Sequence, residues 1–329
     1  MIENMINEYG AYFELSGLIK GKEYHDKNDV IKLNTTRNAI LYCIQQRNYR
    51  GIYLPYYNCS VVRDKIAEFG IDIKYYHIDE NFYPIINPQD CLENYGFLYI
   101  DYFAINYNNV LKVVKNFKNL IIDNSQAFFA ERVDNIDTVY SPRKFFGVTD
   151  GAYLYTDVTI KDQILDQDCS FNRYESLFKK LEKGSSEGYA LRNKNEEEIG
   201  KTKIKLMSKT TEYLLGCIDY QQNAKINIEN FNYIHDKFKK LNTITINTEY
   251  MQQYKSVPMV YPLVIKKEIR KDLLKEKIYT GQWWDYLLNE TKDDSFEYYM
   301  SKYLLPIPID YRYSLNDMEK IEKLINKYL

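Results

Sequence analysis

Between residue 30 and about residue 156, short apolar runs alternate with stretches whose apolar positions have helical spacing. Two helical stretches are RNAILYCIQQR and VVRDKIAEFG, and in the first of them Ala39, Ile40, Cys43 and Ile44 fall on one face. The apolar runs predict strands at GIYLP (51–55), IDIKYYHI, GFLYIDYF, NLIIDNSQAFF, DTVYS and GAYLYT. Short buried strands separated by helices predict an α/β fold with a mainly parallel central sheet flanked by helices. Such sheets bind ligands beyond the carboxyl ends of their strands.

The pattern changes after about residue 158. Helical spacing continues to about 183, and the polar stretch KGSSEGYALRNKNEEEIGKTK then predicts a loop that is either mobile or lines a site. Helices are expected over KLMSKTTEYLLGCIDY (205–220) and from about 227 to 241. From 257 onward the pattern favours a smaller α+β unit. We therefore expect a large domain over 1–240 and a small C-terminal domain over 241–329.

Composition excludes several classes of protein. The 329 residues are 45% hydrophobic with a net charge of -2, so there is no basic footprint for nucleic acid. Five cysteines without CxxC spacing and three scattered histidines argue against a metal site and a disulfide framework. No apolar run approaches about 18 residues, which argues against a membrane span. The start, MIENMINEYG, lacks the apolar core of a signal peptide, so we expect a cytoplasmic protein.

The first candidate for chemistry follows the segment VIKLN. Thr35, Thr36 and Arg37 stand at the start of a predicted helix, where free backbone N–H groups, two hydroxyls and a guanidinium could hold an anion such as phosphate. The alternative is that a threonine here only caps the helix. The segment by itself leaves both interpretations open.

Two further candidates follow neighbouring strands. Asp123 ends the apolar run NLII, where a carboxylate is costly unless a cation pairs with it, although a solvated strand-end aspartate is the alternative. Lys144 follows the next strand and is either a surface charge or a reactive amine. A phosphate cup, a buried acid and a lysine match pyridoxal phosphate, whose aldehyde forms a Schiff base with an amine and whose ring nitrogen pairs with a carboxylate.

The segments LIIDNSQAFFA and DTVYSPRKFFGVTDGAYLYT resemble the Asp-x-x-Gln-Ala and Ser-x-x-Lys…Asp/Glu-Gly-Gly segments of the DegT/StrS family. These are fold-type I, pyridoxal-phosphate-dependent sugar-nucleotide aminotransferases. TTRNAI, IYLPYYNCSVV, YYHIDENFYPI, KLMSKTTEYLLGCIDY and LLPIPIDYRYSLNDMEKIEKLI follow in the family's order, so the resemblance spans about residues 32 to 329.

The resemblance implies roles for single residues. Lys144 would carry the cofactor and then move the proton, and burial by the rings that follow it would favour its neutral form. Asp123 would pair with the ring nitrogen, and Gln126 would lie beside the ring near its phenolic oxygen. Ser141 is the serine of the Ser-x-x-Lys segment and is a further expected cofactor contact.

The remaining implied contacts include departures from the family pattern. Thr35, Thr36 and Arg37 would hold the phosphate, with Arg37 replacing a hydroxyl residue. The aromatic residue expected to stack on the ring falls at Cys59, and Tyr57 is its possible substitute. Asp150 and Gly151 would shape the turn after the lysine. The asparagine that reaches the partner's phosphate is absent, so only Lys203 or Lys205 could replace that contact.

These features lead to an expected function and two alternatives. The expected enzyme is a pyridoxal-phosphate-dependent aminotransferase that moves an amino group from an amino acid, glutamate by expectation, to a keto-sugar nucleotide for surface polysaccharide. The resemblance implies a homodimer, with dimer helices in the large domain from about residue 203. The first alternative is an enzyme with the same cofactor and a smaller amino acid or phosphorylated carbonyl as substrate. The second is a non-catalytic relative that binds a metabolite or partner.

Overall fold

A computed structural model describes residues 15, 18–27, 29–158 and 165–329. The large domain is built on an eight-stranded mixed sheet in the order β1-β8-β7-β6-β5-β2-β3-β4. Its strands are β1 (Val30–Leu33), β2 (Gly51–Pro55), β3 (Asp72–Ile78), β4 (Pro84–Ile85), β5 (Tyr95–Ile100), β6 (Leu120–Asn124), β7 (Asp137–Tyr140) and β8 (Ala152–Tyr155). Strands β3, β2, β5, β6 and β7 pair in parallel, which confirms the α/β fold with a mainly parallel sheet.

Helices cover both faces of this sheet. One face packs against α1 (Thr36–Gln46) and α2 (Ser60–Glu68), through a buried cluster that includes Ile40, Ile66 and Ile121. The other face packs against α3 (Tyr107–Asn116) and α7 (Tyr220–Phe238), through Phe97, Val113 and other large side chains. Strands buried on both sides have no polar face, which is why they read as continuous apolar runs.

The remaining elements follow the sheet along the chain. Their bounds are α4 (Glu175–Lys183), α5 (Ser185–Gly200), α6 (Lys209–Leu215), α8 (Thr248–Gln253), β9 (Val260–Val264), α9 (Arg270–Lys275), α10 (Leu287–Glu290), α11 (Phe296–Tyr303), β10 (Leu304–Pro308) and α12 (Leu315–Tyr328). Strands β9 and β10 form a separate antiparallel pair. The hydrophobic cluster on the α3 side continues into β9, β10 and α12, so the C-terminal elements share a core with the large sheet. The domain boundary at 240 stays a prediction.

The polar stretch that was expected to be a loop is mostly the helix α5, so that prediction is wrong. Its apolar spacing is weak, but glutamate, alanine, leucine, arginine and lysine all favour helix. Gly184, with φ 90°, separates α4 from α5, and the two form a helical hairpin. A Cβ on Gly188 would lie 2.9 Å from the Ser176 carbonyl oxygen, so the two helices approach closely at that glycine. Close packing at one small residue replaces the apolar stripe that the sequence lacks.

The helix expected over 205–220 is also shorter than predicted. The backbone N–H of Leu206 donates to the Asp166 carbonyl and that of Met207 donates to the carbonyl of Lys32 in β1, at 2.9 and 3.0 Å, so this segment is extended. Ser208 then accepts from Thr211 N at 3.2 Å and caps α6. The helix ends at Leu215, and α7 begins at Tyr220.

Candidate active site

The carboxyl ends of strands β1, β6 and β7 meet at one edge of the sheet. Strand β7 runs parallel to β6, and Asp123 pairs with Val139. Strand β1 is antiparallel to β8, which is antiparallel to β7, so β1 and β7 run in the same direction. The residues after β1, β6 and β7 therefore lie along the same edge, as expected for the ligand site of a parallel sheet.

Asp123 is a buried carboxylate on β6. Its side chain is 5% exposed, and Oδ1 accepts a hydrogen bond of 2.8 Å from the backbone N–H of Ser125. Side chains alternate along a strand, so Asp123 shares the face of Ile121, which packs in the cluster with α1. The alternative of an ordinary solvated aspartate is wrong, because the carboxylate is held at the sheet edge on the α1 side.

Lys144 ends a 3₁₀ turn over Pro142–Lys144 that directly follows β7. The N–H groups of Phe145 and Phe146 both donate to the Pro142 carbonyl, at 3.0 and 2.8 Å, and fix the turn. Both phenyl rings pack into a cluster with Phe128, while the Lys144 side chain is exposed. The expectation that these rings desolvate the amine is therefore wrong within a single chain, since they point into the core and the amine does not.

The start of α1 combines a cap with a cation. Thr35 is buried, and its Oγ1 accepts from Asn38 N at 3.2 Å, so this hydroxyl serves as the N-cap. Thr36 and Arg37 are half-buried in the first turn. Burial, followed by repulsion from Arg143, lowers the pKa of the Arg37 guanidinium. Thr35 is thus the residue that caps the helix, and the anion contact of Thr36 and Arg37 stays a proposal.

Arg143 is a second cation at this edge, next to Lys144 in the chain. Its guanidinium forms an ion pair with Glu196 on α5. Its Nε atom is buried and finds no hydrogen-bond partner among the residues that the structure describes. The sequence assigns Arg143 no role, because nothing in the local pattern shows that α5 pairs with it.

Gln126 and Ser141 are both buried at the strand ends. Gln126 Oε1 accepts from the backbone N–H of Phe103 at 2.9 Å. Phe103 and Ala104 have φ values of 59° and 57°, so Gln126 holds a left-handed turn in place after β5. The structure gives Gln126 this partner, and its expected place beside a cofactor ring stays a proposal, as does the contact expected of Ser141.

The two candidates for ring stacking lie in different surroundings. Tyr57 is 0% exposed, with its ring edge-on to Trp284 at 4.3 Å between centroids, so stacking on it would require these side chains to move. Cys59 is partly exposed at the N-terminus of α2, and it lies near Arg37. Of the two, Cys59 is therefore the one that the fold leaves accessible.

Asp150 and Gly151 shape the turn after the lysine. The Asp150 carboxylate is wholly buried and accepts from Ser208 N and Ser208 Oγ, both at 2.8 Å, and also from Thr211 Oγ1. Gly151 has φ 118°, and its N–H donates to the Asn34 carbonyl at 2.6 Å. A side chain at Gly151 would be strained, so the glycine is what lets β8 begin beside the end of β1.

Asp101 is a strand-end acid that sequence reasoning missed. It follows β5, is buried, and its N–H donates to the Asp123 carbonyl at 3.1 Å. Neither carboxylate oxygen has a hydrogen-bond partner within the described ranges, and burial raises the pKa of Asp101 to about 7. The signal was available, because Asp101 ends the run GFLYI just as Asp123 ends NLII.

The lysines expected to replace a contact with a partner subunit lie in the extended segment before α6. Lys205 Nζ lies 4.0 Å from Asp168 Oδ1 of its own chain. The carbonyl of Lys203 accepts from the side-chain amides of Asn34 and Asn38, at 3.1 and 2.9 Å. These bonds fasten the start of α1 to the segment after α5.

Within the described part of the chain, no helix is long and apolar enough to cross a membrane.

No protein-family model and no curated protein matches the sequence. Solved structures do match. The putative sugar aminotransferase Spr1654 from Streptococcus pneumoniae, in its PLP form, matches with a TM-score of 0.63 and 13% identity over 95% of this chain and 94% of that one. Sugar aminotransferase CalS13 from Micromonospora echinospora gives a TM-score of 0.63 and 11% identity over 92% of this chain and 88% of that one.

A DegT DnrJ EryC1 StrS aminotransferase from Brucella abortus matches with a TM-score of 0.61 and 12% identity, over 91% of this chain and 85% of that one. At such identities the likeness concerns the fold and leaves the chemistry open. It extends over nearly the whole chain and agrees with the order of strands and helices described above. The chain has the fold of the fold-type I sugar aminotransferases.

Proposed function

We propose that this protein is a pyridoxal-phosphate-dependent aminotransferase that transfers an amino group from an amino acid to a keto-sugar nucleotide. The observation that supports it most directly is the pairing of β6 with β7, which brings the buried Asp123 beside the turn that carries Lys144. An acid and an amine at adjacent strand ends are the two groups that this cofactor requires from a protein. We propose that the enzyme acts in the cytoplasm, in surface polysaccharide biosynthesis.

The residues at the sheet edge fit pyridoxal phosphate. Asp123 supplies a carboxylate with one oxygen already oriented by Ser125, and Lys144 supplies an exposed amine. Arg37 and Arg143 supply more positive charge than the described carboxylates around them balance, since only Glu196 pairs with either guanidinium. A dianionic phosphate would complete this set. When bound, the cofactor supplies an aldehyde for an amine and a ring that accepts electrons.

The side chains at this site would have separate roles in the reaction. Asp123 would hold a proton on the ring nitrogen, because a carboxylate in a buried place favours a cationic partner. The Lys144 amine would carry a proton between two carbon atoms, which requires it to be neutral during part of the cycle. Thr36 N–H, Arg37 and Ser141 would orient the phosphate, and Cys59 would lie near it.

Lys144→Ala is expected to abolish the visible absorption band of the lysine-linked cofactor. The purified protein, or the protein supplied with pyridoxal phosphate, should show the band, because its colour depends on a bond to the amine of Lys144. Absorbance spectroscopy of both proteins after removal of free cofactor measures it. A wild type that stays colourless after addition of cofactor contradicts the proposal.

The matched control for this experiment is Lys118→Ala. Lys118 is also exposed, but it lies just before β6, at the opposite edge of the sheet from Lys144. The Lys118 variant should keep the band at full intensity. If both variants lose it, the loss reflects general damage to the protein, and the role of Lys144 is not supported.

Support for a sugar acceptor comes from the names of the matching structures, two of which are called sugar aminotransferases. With glutamate as donor, keto-sugar nucleotides are expected to be aminated and small keto compounds are not, as measured by mass spectrometry of the products. The reverse pattern would favour a smaller substrate on the same site.

We also propose that the protein is a homodimer. The α4–α5 hairpin and the turn before it carry large apolar side chains in water, with Phe171 74% and Leu181 83% exposed, and Phe178 and Tyr189 also exposed. Phe178 and Leu181 are three residues apart on α4 and share a face. An apolar patch of this kind is typical of an interaction surface.

Leu181→Glu is expected to convert a dimer into a monomer, because it places a charge in the apolar patch. Sedimentation velocity of the wild type and the variant measures the change. Leu274→Glu on α9 is the control, since Leu274 is exposed but lies outside the patch. A wild type that sediments as a monomer, or a Leu181 variant that remains dimeric, contradicts the use of this surface.

A further inference from the structure

One face of α5 lies over two arginines at the sheet edge. Glu196 on α5 forms an ion pair with Arg143. Four residues later, a Cβ on Gly200 would lie 3.1 Å from Nη1 of Arg37. Residues four apart in a helix share a face, so Arg143 and Arg37 meet the same side of α5, one turn apart. Glycine at 200 leaves the space that the Arg37 guanidinium occupies.

The charges under this face are unbalanced. Two guanidinium groups face one carboxylate, since Glu196 is the only carboxylate among the described residues that pairs with either. The Arg143 Nε atom is buried and lacks a described hydrogen-bond partner. Glu196 therefore satisfies only some of the donors of the Arg143 guanidinium. Repulsion from Arg143 contributes to the lowered pKa of Arg37, and Cys59 and Asp64 are the other nearby titratable groups. The pair is therefore suited to an additional anion.

We propose that Glu196 occupies the place of a phosphate group against Arg143, and that Arg37 and Arg143 bind this phosphate together once it displaces the carboxylate. This inference rests on the proposed function and adds to it Arg143 as a binding residue and Glu196 as an internal competitor. A guanidinium fork accepts either a carboxylate or a phosphate in the same geometry, and the phosphate brings more charge and a third oxygen.

Two ligands of the proposed reaction carry such a group. One is the phosphate ester of the cofactor, and the other is the diphosphate of a nucleotide sugar. The strand-end position of Arg37 favours the cofactor, because α1 begins directly after β1 at the edge that holds Asp123 and Lys144. The shared chemistry is a phosphate that needs two guanidinium groups, and dephosphorylated partners of each ligand separate the two sources.

Glu196→Gln is expected to raise the affinity for the phosphate-bearing ligand about 2- to 5-fold, because removal of one partly exposed ion-pair charge is worth up to about 1 kcal/mol. Isothermal titration calorimetry of the full chain with pyridoxal phosphate, pyridoxal, uridine diphosphate and uridine measures it. A gain for pyridoxal phosphate but not pyridoxal assigns the site to the cofactor, and a gain for uridine diphosphate but not uridine assigns it to the substrate. Either result supports the competition.

Arg143→Met should lower the same affinity about tenfold or more, as loss of a charged hydrogen bond does. Arg143→Lys keeps the charge and should lower it less. Glu197→Gln is the control, because Glu197 is exposed on the next position of α5, and it should leave every affinity unchanged. Circular dichroism confirms that the variants are folded.

The inference is overturned if Glu196→Gln and Arg143→Met leave all four affinities at wild-type values, or if Glu197→Gln reproduces the gain. This result is separate from failure of the proposed function. Calorimetry does not depend on the visible band, so a protein can keep its Lys144-dependent colour and still show no competition from Glu196.

Discussion

Asp101→Asn should stabilise the protein by up to about 4 kcal/mol at pH 8, and this gain should vanish toward pH 4. Burial raises the pKa of Asp101 to about 7 from an ordinary value of 3.8, because both carboxylate oxygens lack a described partner. An asparagine keeps the shape of the neutral acid and never ionises. The gain is therefore the cost of ionising a buried carboxyl group.

The direction of the pH dependence is set by the pH at which the folded and the unfolded chain each release the Asp101 proton. Between about pH 4 and 7 the unfolded chain has lost the Asp101 proton, whereas the folded chain keeps it. The folded state then binds more protons, so the free energy of unfolding falls as pH rises through this interval. Above pH 7 Asp101 is ionised in both states, and the folded protein carries the full cost of the buried charge. Tyr99 and Tyr107 are the titratable groups whose pKa values respond to Asp101, and both stay neutral over this range.

Urea unfolding of the cofactor-free protein at half-unit steps from pH 4 to 8 measures this difference. Asp293→Asn is the control, since Asp293 is exposed and should leave the pH dependence unchanged. If wild type and Asp101→Asn give parallel curves from pH 5 to 8, Asp101 does not carry a raised pKa, and its carboxylate has a partner in solution.

His25→Gln is expected to reduce the loss of stability on acidification by roughly 2 kcal/mol between pH 6.5 and 5. His25 is buried, and Nε2 lies 3.0 Å from the Phe128 carbonyl oxygen, which makes it the donor. Nδ1 then accepts from the Tyr155 hydroxyl at 3.1 Å. A neutral ring satisfies both contacts, and burial disfavours the charged, protonated ring.

Burial lowers the pKa of His25 to about 3, with a smaller contribution from Lys27 in the same direction and an opposing one from the Phe128 carbonyl. Below pH 6.5 the His25 side chain binds a proton in the unfolded chain but not in the folded chain. The free energy of unfolding therefore falls as the pH falls. Glutamine cannot take up that proton. It should cost some stability at pH 8, because it replaces a ring packed among aromatic side chains.

The two residues have opposite effects on the free energy of unfolding between about pH 4 and 6.5. Asp101 lowers it as the pH rises, and His25 raises it. The wild type should therefore show a nearly flat unfolding free energy over this range, Asp101→Asn a rising one, and His25→Gln a falling one. The same urea titrations measure all three. A wild type that changes steeply here while both variants match it would contradict both assignments.

Strand-end chemistry could be predicted because it depends on a few strong local signals. NLII followed by Asp123, and DTVY followed shortly by Lys144, place polar groups where apolar runs stop, and parallel strands bring their ends together. The rule predicted the position of Asp123 at the strand end, and the structure decided between the buried and the solvated carboxylate. The same rule applied to GFLYI would have found Asp101, so that omission was not a limit of the sequence.

The surroundings of the site could not be predicted, because they depend on contacts between distant segments. Nothing near Arg143 shows that Glu196 pairs with it, since the helix α5 has no apolar stripe to reveal it. The rings of Phe145 and Phe146 could pack either over the lysine or into the core. The aromatic cluster around Phe128 decided this, and it includes Tyr220 from the start of α7.

The pairing of β1 with β8 also has a consequence for biosynthesis. Val30 meets Tyr155 and Leu33 meets Ala152, so the first strand of the sheet stays unpaired until the eighth has left the ribosome. Long-range strand pairing of this kind is slow and leaves an open edge in the nascent chain. Translation arrested before residue 152 would yield a polypeptide in which β1 had no strand to pair with, so the start of α1 would lack its attachment to the sheet.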